Sequence, residues 1–193
     1  MTIFLILAPY GAFALLMLAS SADVALFTGA AICLAVIAYD MARGRSLKIL
    51  GAGSVIVFTA VGGYVTEIDP DLSVSGVKFA VDTGIFLVTL GSIVAGKPFT
   101  LQYAREVVDA ETTKLPRFVK TNYILTWVWT AAFALMLVAD IVAIYLPSTP
   151  LWACAAIAFA ARNSASYFTQ WYPKHVRAAI AAGRDTAPVA TAS

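Results

Sequence analysis

The stretch YILTWVWTAAFALMLVADIVAIYL, residues 123–146, decides the fold class. Its one charged side chain is Asp140, and the rest are apolar, aromatic or hydroxyl residues. At 1.5 Å per residue, a helix of this length covers about 36 Å, enough to cross a hydrocarbon core of about 30 Å. A helix is expected because an isolated strand would leave its backbone groups unpaired in lipid. The stretch therefore predicts a transmembrane α-helix.

The whole chain is also rich in apolar residues. Its 193 residues are 61% hydrophobic and 12% charged, whereas soluble domains are about 45–50% apolar and about 25% charged. The apolar segments lie at about 2–19, 22–40, 49–66, 75–96, 123–146 and 151–171. The first is expected to be a membrane helix, because no basic residue precedes it as in a signal peptide. We predict an all-α integral membrane protein, a bundle of about six transmembrane helices.

One polytopic transmembrane domain is expected over residues 1–185, followed by a disordered cytoplasmic tail at 186–193. Lysines and arginines follow the second, fourth and sixth segments, and the other connections have none. The connection after the third segment carries Glu67, Asp69 and Asp71 instead. Because cytoplasmic loops are enriched in Lys and Arg, this alternation predicts that both termini lie in the cytoplasm.

Residues 91–100, GSIVAGKPFT, nearly match the phosphate-binding pattern G-x-x-x-x-G-K-[ST], with Pro98 at the last position. A phosphate-binding loop needs free backbone N–H groups, but residues 91–95 fall inside an apolar segment whose N–H groups a helix would bond. We interpret Gly96 as the end of that helix. Lys97 then becomes an anchor at anionic headgroups, and Pro98 begins the first turn of a new helix.

An amphipathic interfacial helix is predicted between helices 4 and 5. In PFTLQYAREVVDAE, residues 98–111, a helical projection separates an apolar side that includes Phe99, Tyr103 and Val107 from a polar side. Arg105 lies on the polar side, as a further interfacial anchor. An ordinary polar loop is the alternative, and in either case Leu115-Pro116 ends the segment.

Charged residues inside the predicted spans are the candidate site, because a charge in lipid is costly. Lys78 and Asp82 are four residues apart, so they share a helix face and can pair. Together with Asp140 they lie about 5–10 Å from the outer end, whereas Arg162, beside Asn163, lies about 16 Å in. Two interpretations remain open. The five residues line a path for an ion or small polar ligand, or the charges form a buried network that fixes helix register.

Other chemistry has little support in the sequence. It lacks the HExxH, GxSxG and paired CxxC patterns, and the single histidine, His175, cannot supply the usual metal site. No catalytic residue, metal or cofactor is predicted. The net charge of +2 is too small to favour nucleic-acid binding. Asp40 and Glu67, at span ends, are expected to be solvated. The same expectation holds for the connection's carboxylates, Glu106, Asp109 and Glu111.

Two stretches resemble a known family: GKPFTLQYARE (96–106) followed by KLP (114–116), and TNYILTWVWTAAFALMLVADIVAIYLP (121–147) followed by LW. Their order is similar to that in the bacterial intracellular septation protein A family, over roughly the second half of the chain. The matching positions are Lys97, Pro98, Leu115, Pro116, Asn122, Trp127, Phe133, Asp140, Tyr145, Leu146 and Pro147. Asp140 departs from the asparagine that the family tends to have. The resemblance implies a multi-pass protein of the bacterial inner (plasma) membrane that acts in envelope maintenance or division.

Three function classes follow. The first is a non-enzymatic inner-membrane protein that contacts other membrane proteins or further copies of itself. The second is a small transporter, channel or substrate-binding subunit that uses the polar cluster between helices 4, 5 and 6. The third is a membrane-embedded enzyme acting on lipid, which would need clustered polar residues around Arg105 to Lys120. A cavity beside the cluster would favour the second class, and tight pairing in a dry core would disfavour it.

Overall fold

The computed structural model of the protein describes residues 3–146 and 148–185, and within them the chain is all-α. The helices are α1 (Ile3–Ala19), α2 (Ala22–Ala42), α3 (Ile49–Glu67), α4 (Val74–Val94), α5 (Phe99–Ala104), α6 (Ala110–Lys114), α7 (Pro116–Tyr145) and α8 (Leu151–Asp185). The all-α prediction is confirmed. The predicted tail at 186–193 and Pro147 of the family-like motif lie outside the described residues.

Within residues 3–146 and 148–185, four helices are long and apolar enough to cross a membrane: α2, α3, α4 and α7. They begin and end close to the predicted segments, except that α7 begins at Pro116 rather than near Tyr123. The helix α1, with 17 residues, is apolar but shorter. The helix α8 is not among the four, since Arg162 and Asn163 interrupt its apolar half. It also continues through Pro173, beyond the predicted end at Trp171.

The long helices pack as a ribbon in which α1 contacts α2, α2 contacts α3, α3 contacts α4, α4 contacts α7, and α7 contacts α8. The buried core follows this order, from Leu26 and Phe58 on α2 and α3 to Ile85, Phe133 and Ala165 on α4, α7 and α8. Large apolar side chains also point outward from these helices, among them Ile56 and Leu87. Exposed apolar surface on apolar helices suits a lipid environment.

The helices α3 and α4 approach each other closely at two glycines. A methyl group placed on Gly53 would lie 2.6 Å from Val88, and one placed on Gly84 would lie 2.6 Å from Val57. Gly53 and Val57 are four residues apart on α3, as are Gly84 and Val88 on α4. Each glycine therefore receives a valine from the other helix, and small residues of this kind let two backbones pack closely in a membrane.

We expect Gly84→Ala to lower the free energy of unfolding by about 1–3 kcal/mol, the usual cost of overpacking. Val57 is β-branched, so its side chain cannot rotate away from the added methyl group without strain. The matched control is Gly63→Ala on α3, because a methyl group there meets open space. Titration of the detergent-solubilised protein with a denaturing detergent measures both, and equal stability of the two variants would contradict the prediction.

Two of the helices, α2 and α4, end at a glycine where the chain turns. Gly96 has φ of +68°, its N–H donates to Ile93 O at 2.9 Å, and the N–H of Lys97 donates to Ser92 O at 2.9 Å. Gly44 ends α2 in the same way, with φ of +70°. This pair of bonds is the Schellman ending, which favours glycine at the left-handed position. In GSIVAGKPFT, Gly91 to Val94 therefore belong to α4, and Gly96 is the turn out of it.

The segment between α4 and α7 differs from the predicted single amphipathic helix. It forms two short helices, α5 and α6, separated by turns at residues 105–109. Phe99, Thr100 and Leu101 are buried against the protein, and Thr100 Oγ1 donates to Asn122 O at 2.7 Å. The physical reason is that polar side chains fasten α5 to its neighbouring helices. Asp109 then caps α6 by accepting from the Thr112 N–H at 2.8 Å, and this bond lowers the pKa of Asp109.

Candidate functional site

Lys78 bonds two carboxylates on two helices. Its Nζ lies 2.6 Å from Asp82 Oδ2, one turn further along α4, and 2.6 Å from Asp140 Oδ1 on α7. The side chains of the two aspartates are 12% and 6% exposed, and that of Lys78 is 36% exposed. Asp140 Oδ2 is buried and has no hydrogen-bond partner among the described residues. One cation therefore serves two largely buried carboxylates, a set that carries one net negative charge.

A cavity of about 910 Å³ lies beside this cluster, between α1, α4, α7 and α8, with α5 and α6 at one end. Its size is that of a site for a drug-sized ligand, about 300–1,000 Å³. Its wall is mainly apolar and aromatic, with Phe13 on α1, Val81 on α4, and Trp129 and Phe133 on α7. The charged residues in the wall are Lys78, Asp82, Arg117, Arg162 and Arg177. The site therefore combines a large apolar volume with a few charged groups.

Arg162 lines this cavity from α8. The helices α7 and α8 run antiparallel, and Trp129 Nε1 donates to Thr169 Oγ1 at 2.9 Å between them. Arg162 is seven residues before Thr169 on α8, and Met136 is seven residues after Trp129 on α7. Because the helices are antiparallel, Arg162 and Met136 lie at the same level. Arg162 is partly buried, and among the described residues it has no ion pair. At 1.5 Å per residue it is about 16 Å from the start of α8.

Asp82 lies at about the same depth as Arg162. The helix α4 runs antiparallel to α7, and Lys78 on α4 meets Asp140 on α7. Asp82 is four residues further along α4 than Lys78, so it lies near the level of Met136 on α7, to within about one helical turn. Arg162 and Asp82 thus line one cavity at one depth, on different helices, without bonding to each other.

The remaining predicted site residues are arranged differently. Asn163 is exposed, and its Nδ2 donates to Phe159 O at 2.7 Å on its own helix, so it does not line the cavity. Of the predicted interfacial anchors, Lys97 and Arg105 are exposed, whereas Pro98 is fully buried at the start of α5. The structure therefore brings Lys78, Asp82 and Asp140 into contact, adds Arg162 to the same cavity, and leaves Asn163 outside.

A second charged cluster lies where α2 ends and α3 begins. Lys48 Nζ is 2.6 Å from Asp40 Oδ2 and 3.0 Å from Glu106 Oε1. Arg45 completes the cluster, with NH1 3.2 Å from Asp40 Oδ1 and Nε 3.8 Å from Glu106 Oε2. The side chains of Lys48 and Asp40 are only 4% and 6% exposed. Two cations and two carboxylates therefore join the α2–α3 connection to the chain after α5.

The expectation that Asp40 and Glu106 are solvated is wrong. Asp40 is buried, and the Glu106 side chain is 14% exposed. Their positions at a span end and on a polar connection suggested water contact, but folding brings the two connections together. A signal was present in the sequence, since Asp40 stands directly before a group of basic residues that includes Arg45 and Lys48.

Tyr103 on α5 lies between the second cluster and the large cavity. The ammonium group of Lys48 is 5.3 Å from the centre of its ring, within the range of a cation–π contact. Tyr103 also lines the cavity. Burial, with a smaller contribution from the negative charge of Asp40, raises the pKa of the Tyr103 phenol well above its usual range. The phenol therefore stays neutral beside the ion cluster.

Hydrogen bonds hold α5 in this place. The Ile49 N–H at the start of α3 donates to Gln102 Oε1 at 2.8 Å, and Gln102 Nε2 donates to Lys97 O at 3.1 Å. With the bonds of Thr100 to α7, they fasten α5 on two sides. Together with the second cluster, these bonds position the residues of α5 that close one end of the cavity.

Comparison with protein-family models, with curated proteins and with solved structures finds no match to this chain. The resemblance to the septation protein A family therefore stays a prediction. Within the described residues, no group of three or more His, Cys, Asp or Glu side chains is placed to hold a metal ion. Any assignment of function to this site rests on its geometry.

Proposed function

We propose that the protein is a small transporter or substrate-binding membrane subunit that takes a ligand into the cavity between α1, α4, α7 and α8. The observation that carries the proposal is Arg162, a cation at mid-span that lines a cavity of about 910 Å³ and has no carboxylate partner in the part of the chain that the structure describes. A purely structural ion network would be expected to neutralise Arg162, because an unpaired buried charge is costly. The pairing of Lys78 with Asp82 and Asp140 leaves Arg162 for a ligand.

The proposal includes six membrane-crossing helices, with α1 and α8 added to the four long apolar ones and both termini in the cytoplasm. It is supported by the alternation of basic connections. The second cluster and α5 would then lie on the cytoplasmic side, and the Lys78 cluster nearer the outer side. Labelling of single cysteines at positions 71 and 114 with a membrane-impermeant reagent tests the arrangement. Labelling of position 114 in intact cells would contradict it.

The cavity can be tested by filling it. We expect Ala155→Trp, on the cavity wall of α8, to abolish retention of a bound compound in native mass spectrometry of the purified protein. The indole would occupy volume that the ligand needs. The matched control is Ala156→Trp, the next residue, which is exposed and outside the cavity wall. Identical bound species in the wild type and both variants would refute the ligand-binding function.

A second candidate function is contact with other membrane proteins, or with further copies of this chain, in envelope maintenance. It is favoured by open space around Gly11, Gly63 and Gly91, where another helix could approach closely. The resemblance to the septation protein A family would place this function in the bacterial inner membrane. Cross-linking in native membranes tests it, and recovery of the monomer alone would count against it.

A further inference from the structure

The geometry points to the chemical class of the ligand: a hydrophobic monoanion whose acidic group pairs with Arg162 and whose apolar body fills the cavity. This inference rests on the proposed function and makes it more specific. Three features of the cavity determine what can bind: its apolar wall, Arg162, and the carboxylate of Asp82 on the opposite helix.

The positive charge that would pair with the ligand is on Arg162. Besides Arg117 and Arg177, the cations that line the cavity are Lys78, near the start of α4, and Arg162 on α8. Lys78 already has a carboxylate oxygen at 2.6 Å on each of two helices. Arg162 has none among the described residues, so its guanidinium has donors free for a carboxylate or phosphate. Because the surrounding dielectric is low, an anion here gains more than it would at the protein surface.

The apolar body of the ligand would lie against an aromatic part of the cavity wall. The wall is formed by Met136 at the depth of Arg162, and by Phe133 and Trp129 towards the start of α7. Phe13 from α1 completes this part of the wall. The rings of Trp129 and Phe133 lie 5.9 Å apart and form one aromatic surface. Burying a hydrocarbon chain against such a surface contributes about 25 cal/mol per Å². A small inorganic anion would leave this surface uncovered, so a hydrophobic anion fits better.

Two carboxylates near Arg162 limit the ligand to one negative charge. Asp82 lines the cavity at about the depth of Arg162, and Asp140 lies directly behind Lys78. These carboxylates would repel a second negative charge placed near Arg162. They would not repel a single charge that the guanidinium already neutralises. The exposed side chains Arg117 and Arg177 lie at the end of the cavity where α6 is, far enough from Arg162 along the helices to act separately.

The test uses three probes with one C12 chain: dodecanoate, dodecanol and dodecyltrimethylammonium. Equilibrium dialysis measures binding of each tritiated probe to the protein in nanodiscs of zwitterionic lipid, with empty nanodiscs as the background. We expect dodecanoate to bind the wild type about tenfold more tightly than dodecanol, from one charge-assisted hydrogen-bonded pair. Dodecyltrimethylammonium should bind no better than dodecanol. Equal binding of dodecanoate and dodecanol to the wild type would overturn the inference without any variant.

Variants then locate the charge. Arg162→Met should remove the advantage of dodecanoate over dodecanol, and Arg162→Lys should retain part of it. The matched control is Lys174→Met, an exposed cation on the same helix and outside the cavity wall, which should keep the advantage; its loss there would overturn the assignment to Arg162. If dodecanol binds the wild type but not Ala155→Trp, and dodecanoate has no advantage, the proposed function stands and this inference fails. If no probe binds above the Ala155→Trp level, the proposed function itself fails.

Discussion

Lys78→Met is expected to lower the free energy of unfolding by about 3–5 kcal/mol, the usual cost of leaving a buried charge without its partner. Asp82 and Asp140 share this one cation, with both distances at 2.6 Å. Methionine fills a similar volume and suits a helix, so loss of charge rather than loss of packing dominates. Reversible unfolding of the protein in mixed micelles, followed by tryptophan fluorescence, measures the change.

The rescue experiment separates charge from packing. In the triple variant Lys78→Met, Asp82→Asn, Asp140→Asn, no buried carboxylate remains uncompensated, so most of the lost stability should return. The matched control is Lys114→Met, because that ammonium is 72% exposed and its pair with Glu111 should contribute no more than about 0.5 kcal/mol. If the triple variant is no more stable than Lys78→Met alone, the destabilisation comes from packing and the charge argument is wrong.

The sequence predicted the helices well because membrane helices are long apolar runs. The bounds of α2, α3 and α4 differ from the predicted segments by a few residues at most. The sequence was a poorer guide to the structure where polar side chains determine the path of the backbone. The single amphipathic helix after Lys97 was predicted from periodicity alone, whereas Thr100, Gln102 and Glu106 fasten the chain to other helices and break the period. Such contacts depend on residues distant in sequence, which a helical projection does not contain.

The candidate site was predictable to the extent that depth could be counted. Lys78 and Asp82 share a face by their spacing of four residues, and counting from the span ends placed Asp140 at a similar depth. Counting could not show that Arg162 lines a cavity while Asn163 points away, because that depends on the rotation of α8 against α7. It also could not show the cavity, whose wall combines residues of α1, α4, α7 and α8 that are distant in sequence.

The second large effect is expected for Lys48→Met, at about 3 kcal/mol of unfolding free energy. Asp40 and Glu106 would keep only Arg45, which is 28% exposed and lies further from both carboxylates than Lys48 does. The loss of stability should be largest in the chain after α5, because Glu106 joins that segment to Lys48 at the start of α3. Trypsin cleavage after the exposed Arg105, followed by mass spectrometry, should therefore become faster in the variant, with Lys114→Met as the unaffected comparison.

The Lys48→Met variant also tests whether the second charged cluster supports the wall of the cavity. Tyr103 and Phe99 line the cavity from α5, and Lys48 lies against the ring of Tyr103. If Lys48→Met releases α5, one end of the cavity loses its wall, and retention of the bound compound should fall although Lys48 is not in that wall. Lys114→Met should retain the compound. Faster cleavage at Arg105 with unchanged retention would mean that α5 does not close the cavity. Unchanged cleavage would mean that the hydrogen bonds of Thr100 and Gln102 hold α5 without the ion cluster.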